Sequence, residues 1–399
     1  RTSDTGVMPA LPDGDPAPPD GALPEGLDWE RPLRAYLHVP FCTVRCGYCD
    51  FNTYTAAELG GFGTQSYLRA VHSEIDLAAA VCEQRPLASV FIGGGTPSLL
   101  DSADLAAILS HLASGFGLQP GAEVTMEANP EDVTAKALDG WLAAGVTRLS
   151  LGMQNADPHA LAILQRQHTP GSAVAEAQLA RTRGFEHISL DLIYGVPGQS
   201  NESWRRTVLA AVSAQPDHIS AYALGVEQGT ALFRQVSRGE VAAPDPDVTA
   251  EQYDITDEVL AGHGFHWYEI SNWARPGGQC EHNLGYWRND NWWGFGPGAH
   301  SHVDGVRWWN VKRPATYQSM LAAGHSPAAA RETVDEPGRR LEQIMLQVRL
   351  EQGVPADLPG TQRLLDQGLL ENADGARLRL TRKGRMLADA VVRVLVGWD

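Results

Sequence analysis

The chain has 399 residues, 43% of them hydrophobic, enough to bury a sizeable core. Its 48 acidic against 31 basic residues leave a formal charge of −17, which argues against a general nucleic-acid or anionic-membrane binder, because phosphate binding needs clustered Lys and Arg. No uninterrupted apolar run approaches ~18 residues, which excludes a membrane-spanning helix, and five cysteines, an odd number, do not suit a disulfide framework in a chain this long.

Residues 1–30 are dense in Pro, Gly and Asp, a composition that predicts a disordered tail. They contain no basic segment followed by an apolar one, so no secretory signal is expected, and the first residue is Arg1, so the natural terminus is expected to differ. Together these features predict a soluble cytoplasmic protein. From residue 34 a rhythm begins. Short β-branched, apolar runs at 34–39, 89–93, 122–127, 147–151, 187–193 and 218–223 predict strands, and helical patterns separate them. In 101–115, Leu105, Ile108, Leu109 and Leu112 fall at helical spacing, with Asp101 or Ser102 as cap and Gly115 as stop. In 201–212, Trp204, Val208 and Val212 lie four apart. Six alternations of strand and helix predict an α/β fold with a parallel sheet, open or rolled into a partial barrel.

Polar and glycine clusters stand at the ends of these strands: cysteines after 39, GGGTPS after 92, Glu127, Gln154 and Asp191. Parallel barrels assemble their sites from the C-terminal ends of strands, so one site is expected there, on one rim. Beyond about residue 230 a helix is expected near 248–262, followed by an aromatic-rich stretch that includes CEHNLGYW (280–287) and GFGPGAHS (294–301). The last stretch reads as a helix at 338–350, another at 361–367, a hairpin across 369–381 and a final helix at 384–396, an order like that of a small winged-helix module.

Cys42, Cys46 and Cys49 crowd into eight positions after the first strand. A zinc site would need a fourth ligand, for which Cys280 or a histidine is available. In an iron–sulfur site three thiolates would hold three irons of a cubane and leave the fourth open to a substrate or cofactor. Cys82, at the end of a helical pattern, reads as a small buried hydrophobe. Taken alone, GGGTPS would be an ordinary strand-to-helix turn, and it lacks the phosphate-loop pattern.

The spacing C-x3-C-x2-C after a strand, with Tyr48 before the last cysteine, resembles the radical S-adenosylmethionine (SAM) enzymes. YLHVPFCTVRCGYCDF, FIGGGTPSLL, MEANPE, RLSLGMQ, DLIYGVPGQ and HNLGYW occur in the order of the oxygen-independent coproporphyrinogen oxidase group, and the likeness runs from about residue 33 to the C-terminus. It implies a partial (β/α)6 barrel of the radical SAM type over 31–230, an extension over 231–335, and a smaller C-terminal winged-helix-like α+β domain over 336–399. It also implies a [4Fe–4S] cluster on Cys42, Cys46 and Cys49, with SAM on the open iron. By position, Tyr36 and Tyr48 would lie at the cofactor, and Gly94, Gly95 and Thr96 would offer backbone to the methionine moiety. Glu127, Gln154, Arg166 and Asp191 would hold the rest of SAM.

Two branches of the group differ just beyond Cys49. The oxidase branch carries a fourth cysteine two positions on, where this chain has Phe51 after Asp50, and 1–30 does not look like a substrate lid. The resemblance is therefore to the heme-chaperone branch, which implies heme as cargo, heme-acceptor proteins such as respiratory enzymes as partners, and a low-potential electron donor. Oxidative decarboxylation of coproporphyrinogen III is the alternative activity. The branch implies a heme region at HNxxYW, here His282, Asn283, Tyr286 and Trp287, with Cys280, His300 and His302 as rival ligands; the competing reading of His282 is a hydrogen-bonded core histidine. Arg377, Arg379, Arg382, Lys383 and Arg385 could form a DNA-binding wing, but with −17 overall they read better as a solvated face, and no nucleic-acid partner is expected.

Overall fold

A computed structural model describes residues 13–398. Its core is a twelve-stranded sheet whose centre is six parallel strands in sequence order: β1 (Leu33–Val39), β2 (Leu87–Gly94), β3 (Leu118–Ala128), β4 (Arg148–Gln154), β5 (His187–Tyr194) and β6 (His218–Ala223). Each predicted strand is present. The connecting helices bury the expected faces: Leu105, Ile108, Leu109 and Leu112 of the helix Ser102–Phe116 are all in the core. That helix runs past the anticipated stop at Gly115, because Phe116 is itself buried against Phe295; it ends at Gly117, whose positive φ of 82° turns the chain.

Further strands, antiparallel to their neighbours in all but one pairing, extend the sheet on both sides. Beyond β6 lie β7 (His266–Glu269) and β8 (Asn272–Ala274), with β8 pairing to β6. Beyond β1 lie β9 (Asn291–Phe295), β10 (His300–Val303), β11 (Val306–Asn310) and β12 (Ala328–Thr333), with β9 parallel to β1. Residues from all of β1–β6 line one cavity, so the sheet curls into a partial barrel.

Each sheet edge is met by one bridge from a distant part of the chain, which interrupts the exposed row of backbone groups that makes an edge prone to aggregate. At β7, Leu350 bridges Glu269. At β12, Asp15 and Arg331 exchange two backbone hydrogen bonds of 2.8 Å. The expectation of a disordered tail over 1–30 is thus corrected for the part described, residues 13–30; residues 1–12 lie outside it. Ser326 N–H also donates to Pro19 O, Leu23, Leu27 and Trp29 pack on the core, and Arg85 stacks over Trp29 at 4.9 Å. Composition hid these anchors among prolines and aspartates.

The C-terminal residues hold their own apolar cluster, including Val348, Leu364, Leu378, Val391 and Leu395, and a three-stranded sheet of β13 (Val354–Pro355), β14 (Leu370–Asn372) and β15 (Arg377–Leu380). Helices Glu336–Gln347, Thr361–Asp366, Arg382–Met386 and Ala388–Leu395 surround it, so the anticipated last helix is split at Leu387. The basic run is a solvated face only in part: Arg382 and Lys383 are exposed, while Arg385 is turned inward. Arg385 makes a two-pronged ion pair with Asp257 at 2.7 and 2.8 Å and lies over Trp267, while Arg382 pairs with Asp254; both acids are on the helix Pro246–Gly262. These arginines attach the C-terminal unit to the barrel. Among the described residues no helix is long and apolar enough to cross a membrane.

Candidate cluster and cofactor site

The loop after β1 carries the three cysteines and is pinned from several directions. Cys42 N–H donates to Tyr54 O (3.0 Å), Tyr54 N–H to Pro40 O (2.7 Å), and Cys49 N–H to Cys46 O (3.2 Å). The end of β2 presses against it. Gly95 N–H donates to Val39 O at 2.7 Å, and a side chain at Gly95 would collide with the Phe41 carbonyl. Gly94, at φ 109°, faces His38 so closely that a Cβ there would sit 2.5 Å from Nδ1. The glycine-rich turn therefore lets two strand ends meet. Gly94 N–H is taken by Glu127 (3.1 Å), so the two glycine amides already have protein partners. GFGPGAHS behaves in the same way: Gly298 abuts Asn52, and Asn52 donates to Pro297 O at 2.8 Å.

All three thiols are partly exposed. Thr96 Oγ1 points at Cys42 Sγ (3.7 Å), and Arg166 Nη1 at Cys46 Sγ (3.4 Å). Burial and the neighbouring sulfurs push Cys49 up to about 11, and burial raises Cys42. Three thiolates held this close need positive charge among them, which the irons of a cluster supply. Cys280 cannot complete a zinc tetrahedron. It lies at the opposite end of the barrel, its thiol 3.4 Å from Glu123. Among the described residues no three His, Cys, Asp or Glu side chains converge on one ion. The donor set fits a cubane, in which each iron takes one thiolate.

Below the cysteines a cavity of about 540 Å³, of a size suited to a small-molecule ligand, runs into the barrel. Each parallel strand contributes to its wall: Tyr36 from β1, Gly94 from β2, Glu127 from β3, Gln154 from β4, Asp191 from β5 and Tyr222 from β6. Gln154 has a left-handed backbone (φ 59°) beside an irregularity in the β4–β5 register, and its amide lies over Gly152, where any Cβ would be 2.8 Å from Nε2. Arg166 reaches Asn129 Oδ1 (2.8 Å) and Gly152 O (3.3 Å). Tyr48 and Thr96 are also in the wall.

Arg148 and Arg166 are also in this wall, but they are engaged with Glu123 and with Cys46 and Asn129, so neither pairs with Glu127 or Asp191. Burial and the nearby Asp191 raise Glu127 to about 8, and its hydrogen bond comes from an amide, not a cation. Asp191 is likewise raised by burial and held by the Ser150 hydroxyl at 2.9 and 3.1 Å. Two carboxyls facing a cavity without a cationic partner suit a positively charged occupant. Tyr36 adds an acceptor. His38 Nε2 is 2.9 Å from the Asn52 carbonyl, which can only accept, so Nε2 carries the proton. Nδ1 must then accept from the Tyr36 hydroxyl at 3.1 Å, which turns the tyrosine's lone pairs to the cavity.

The helix Glu281–Trp287 closes the far end. The Glu123 carboxylate accepts from the Glu281 and His282 amides (3.2 and 3.0 Å), and Arg148 holds Glu123 at 2.9 Å while donating to the Gly278 and Gln279 carbonyls. His282 is fully buried. Its Nδ1 is 2.9 Å from Ser89 Oγ and its Nε2 2.9 Å from the Tyr286 hydroxyl, and burial together with Arg34 lowers it to about 3. Asn283 donates to Glu269 at 3.1 Å. His282, Asn283 and Tyr286 touch the cavity, whereas Trp287 packs outside it with Tyr268, Leu284 and Leu350. Neither nitrogen of His282 is open to a metal, so the geometry matches the core-histidine reading and not the ligand reading.

Sequence reasoning missed much of the inner wall. Thr125, Ser150, Ser189, His218 and Ser220 also line it, and His218 bridges Ser189 and Tyr268 at 2.7 and 2.8 Å. A signal was present: in SLDL and HISAY the polar residues alternate with apolar ones, the period of a strand with one wetted face. His38 was missed as well, standing two residues after Tyr36 on the same face.

Residues 36–211 match the family model described as the radical SAM superfamily. Over 373 residues the chain is 51% identical to the heme chaperone HemW of Mycobacterium tuberculosis, covering 92% of this chain and 95% of that protein. It is 33% identical over 380 residues to the heme chaperone HemW of Bacillus subtilis, covering 91% and 99%. Among solved structures, the radical SAM enzyme coproporphyrinogen III oxidase (HemN) of Escherichia coli has the same fold, with a TM-score of 0.79 at 22% identity over 93% of this chain and 91% of that one.

Proposed function

This chain belongs to the HemW family within the radical SAM superfamily, and from that premise we propose that it binds heme and passes it to acceptor proteins. The observation that carries the heme reading is 51% identity to a HemW heme chaperone along nearly the whole chain. Cys42, Cys46 and Cys49 would hold a [4Fe–4S] cluster and SAM would occupy the cavity beneath it. The site supports this by its own chemistry, since SAM carries a sulfonium and an ammonium group and the wall offers Glu127 and Asp191, neither of them paired to a cation.

When bound, the cluster supplies an open iron for coordination and one electron at low potential. The protein's residues do the rest. Thr96 and Arg166 point donors at Cys42 and Cys46, and Tyr36, its proton fixed on His38, would be free to accept from an amino group. Glu127 and Asp191 would hold positive charge, and the helix Glu281–Trp287 lines the cavity from below. Heme-acceptor proteins and a reductant for the cluster complete the proposal.

The test is transfer. Anaerobic protein loaded with hemin should lose it faster to a heme-free acceptor enzyme than to a passive scavenger at equal concentration, which marks hand-over through contact. Equal rates would count against the chaperone reading. So would formation of protoporphyrinogen from coproporphyrinogen III with SAM and reductant, which would restore the oxidase alternative.

A further inference from the structure

A heme chaperone that binds iron through an imidazole needs a ring nitrogen free to coordinate it. His282, Cys280, His302 and His300 are the four ligand candidates in the aromatic-rich region, and the structure separates them. His282 has both nitrogens engaged at the barrel floor. Cys280 is 5% exposed and bonded to Glu123, while burial and that carboxylate raise its thiol pKa, which disfavours the thiolate. His302 is 1% exposed, with Nδ1 3.0 Å from Asp290 O and Nε2 accepting from Gly305 N–H at 2.9 Å.

His300 differs on every count. It is exposed, and among the described residues no hydrogen bond reaches either of its ring nitrogens. It opens β10 directly opposite Trp309 of β11, and the two rings stack at 5.9 Å and 30°. Trp309 is itself fixed, 2% exposed, with the backbone of Gly14 against its ring edge. The register shows which face this is. His302 pairs with Trp292, Trp292 with Arg34 and Gly294 with Tyr36, so His300 shares the face on which Tyr36 meets the cavity. It stands beside the cysteine-loop support, two residues after Gly298, which abuts Asn52. Partial desolvation of the ring, with Lys312 and Arg307 nearby, lowers its pKa and favours the neutral imidazole.

We propose that His300 is the axial ligand to heme iron, with Trp309 holding its ring. This rests on the heme-binding reading. Heme would then sit at the rim next to the cluster loop, outside the polar chamber of the barrel, whose serines, threonine and histidine would poorly suit an apolar macrocycle.

The test is an anaerobic hemin titration of the cluster-loaded full chain, followed in the Soret region. Wild type should saturate near one hemin per chain. His300→Ala should weaken binding on the order of tenfold or more and shift the Soret band, while His282→Ala should bind hemin with the wild-type spectrum. His300→Tyr, which keeps a ring against Trp309, should produce the charge-transfer band of a phenolate on ferric heme, a signal that a purely structural role could not create. An unchanged Soret band and affinity in both His300 variants would overturn the assignment while leaving the chaperone reading standing. A wild type that binds no hemin saturably would overturn both.

Discussion

The two ends of the cavity are built from equally distinctive sequence and use it in opposite ways. At the mouth, C-x3-C-x2-C leaves its sulfurs partly exposed, and Glu127 and Asp191 face the cavity with neither in an ion pair. At the floor, the polar side chains of His282, Asn283 and Tyr286 find partners within the protein, and Glu123 with Arg148 ties the helix in place. A recurring motif is therefore not in itself evidence of a ligand. What separates the two cases is the count of hydrogen bonds each polar atom already makes.

The largest effect that could break this contrast is at the mouth. Cys46→Ser should abolish the brown chromophore of reconstituted protein; a variant retaining full iron and sulfide would remove the cluster from the account. At the floor, His282→Ala leaves Ser89 and Tyr286 short of a partner beside the buried Arg34–Asp290 pair. It should cost about 2–4 kcal/mol, seen as a lower thermal midpoint, with iron content unchanged. Loss of the cluster at unchanged stability would reverse the two roles.

Arg385→Ala tests attachment away from either end. It leaves Asp257 with only the Trp273 indole at 2.9 Å and Arg382 at 3.8 Å and should cost about 2–3 kcal/mol, read as faster amide exchange in Arg382–Met386 and Ala388–Leu395 with the barrel strands still protected. Uniform exchange would mean that the C-terminal unit does not open by itself. The smallest effect is a pH profile. Glu127, at about 8, is mostly protonated at neutral pH in the ligand-free protein, and a cation binds better to its carboxylate. SAM affinity should rise a few-fold with pH until about 8 and then level off. Glu127→Gln should flatten that part of the profile, measured calorimetrically, and an identical slope in the variant would exclude Glu127. The same raised pKa means that its contribution to ligand-free stability is full below the ordinary carboxylate range and is lost as pH rises through about 8.

The strand–helix alternation and the cysteine spacing were legible because both are local patterns. His282 was not, because its partner Ser89 lies 193 positions away and no local pattern encodes that contact. The same holds for Arg385, whose acid is 128 residues distant, so this one inward-turned member of a basic run passed for part of a solvated face. Residues 13–30 misled for a different reason: average composition governed the reading, while a few apolar side chains and one backbone bridge decide the structure. The polar lumen lay in view as alternation within strands, but apolar content dominated the reading of those segments.

The most direct test of a ligand-bearing mouth over a structural floor is electron paramagnetic resonance of the reduced, reconstituted protein with and without SAM, on wild type, His282→Ala and Cys46→Ser. The account predicts a [4Fe–4S]⁺ signal that SAM perturbs equally in wild type and His282→Ala, and no such signal in Cys46→Ser. A SAM response lost in His282→Ala, or a cluster signal surviving in Cys46→Ser, would contradict it.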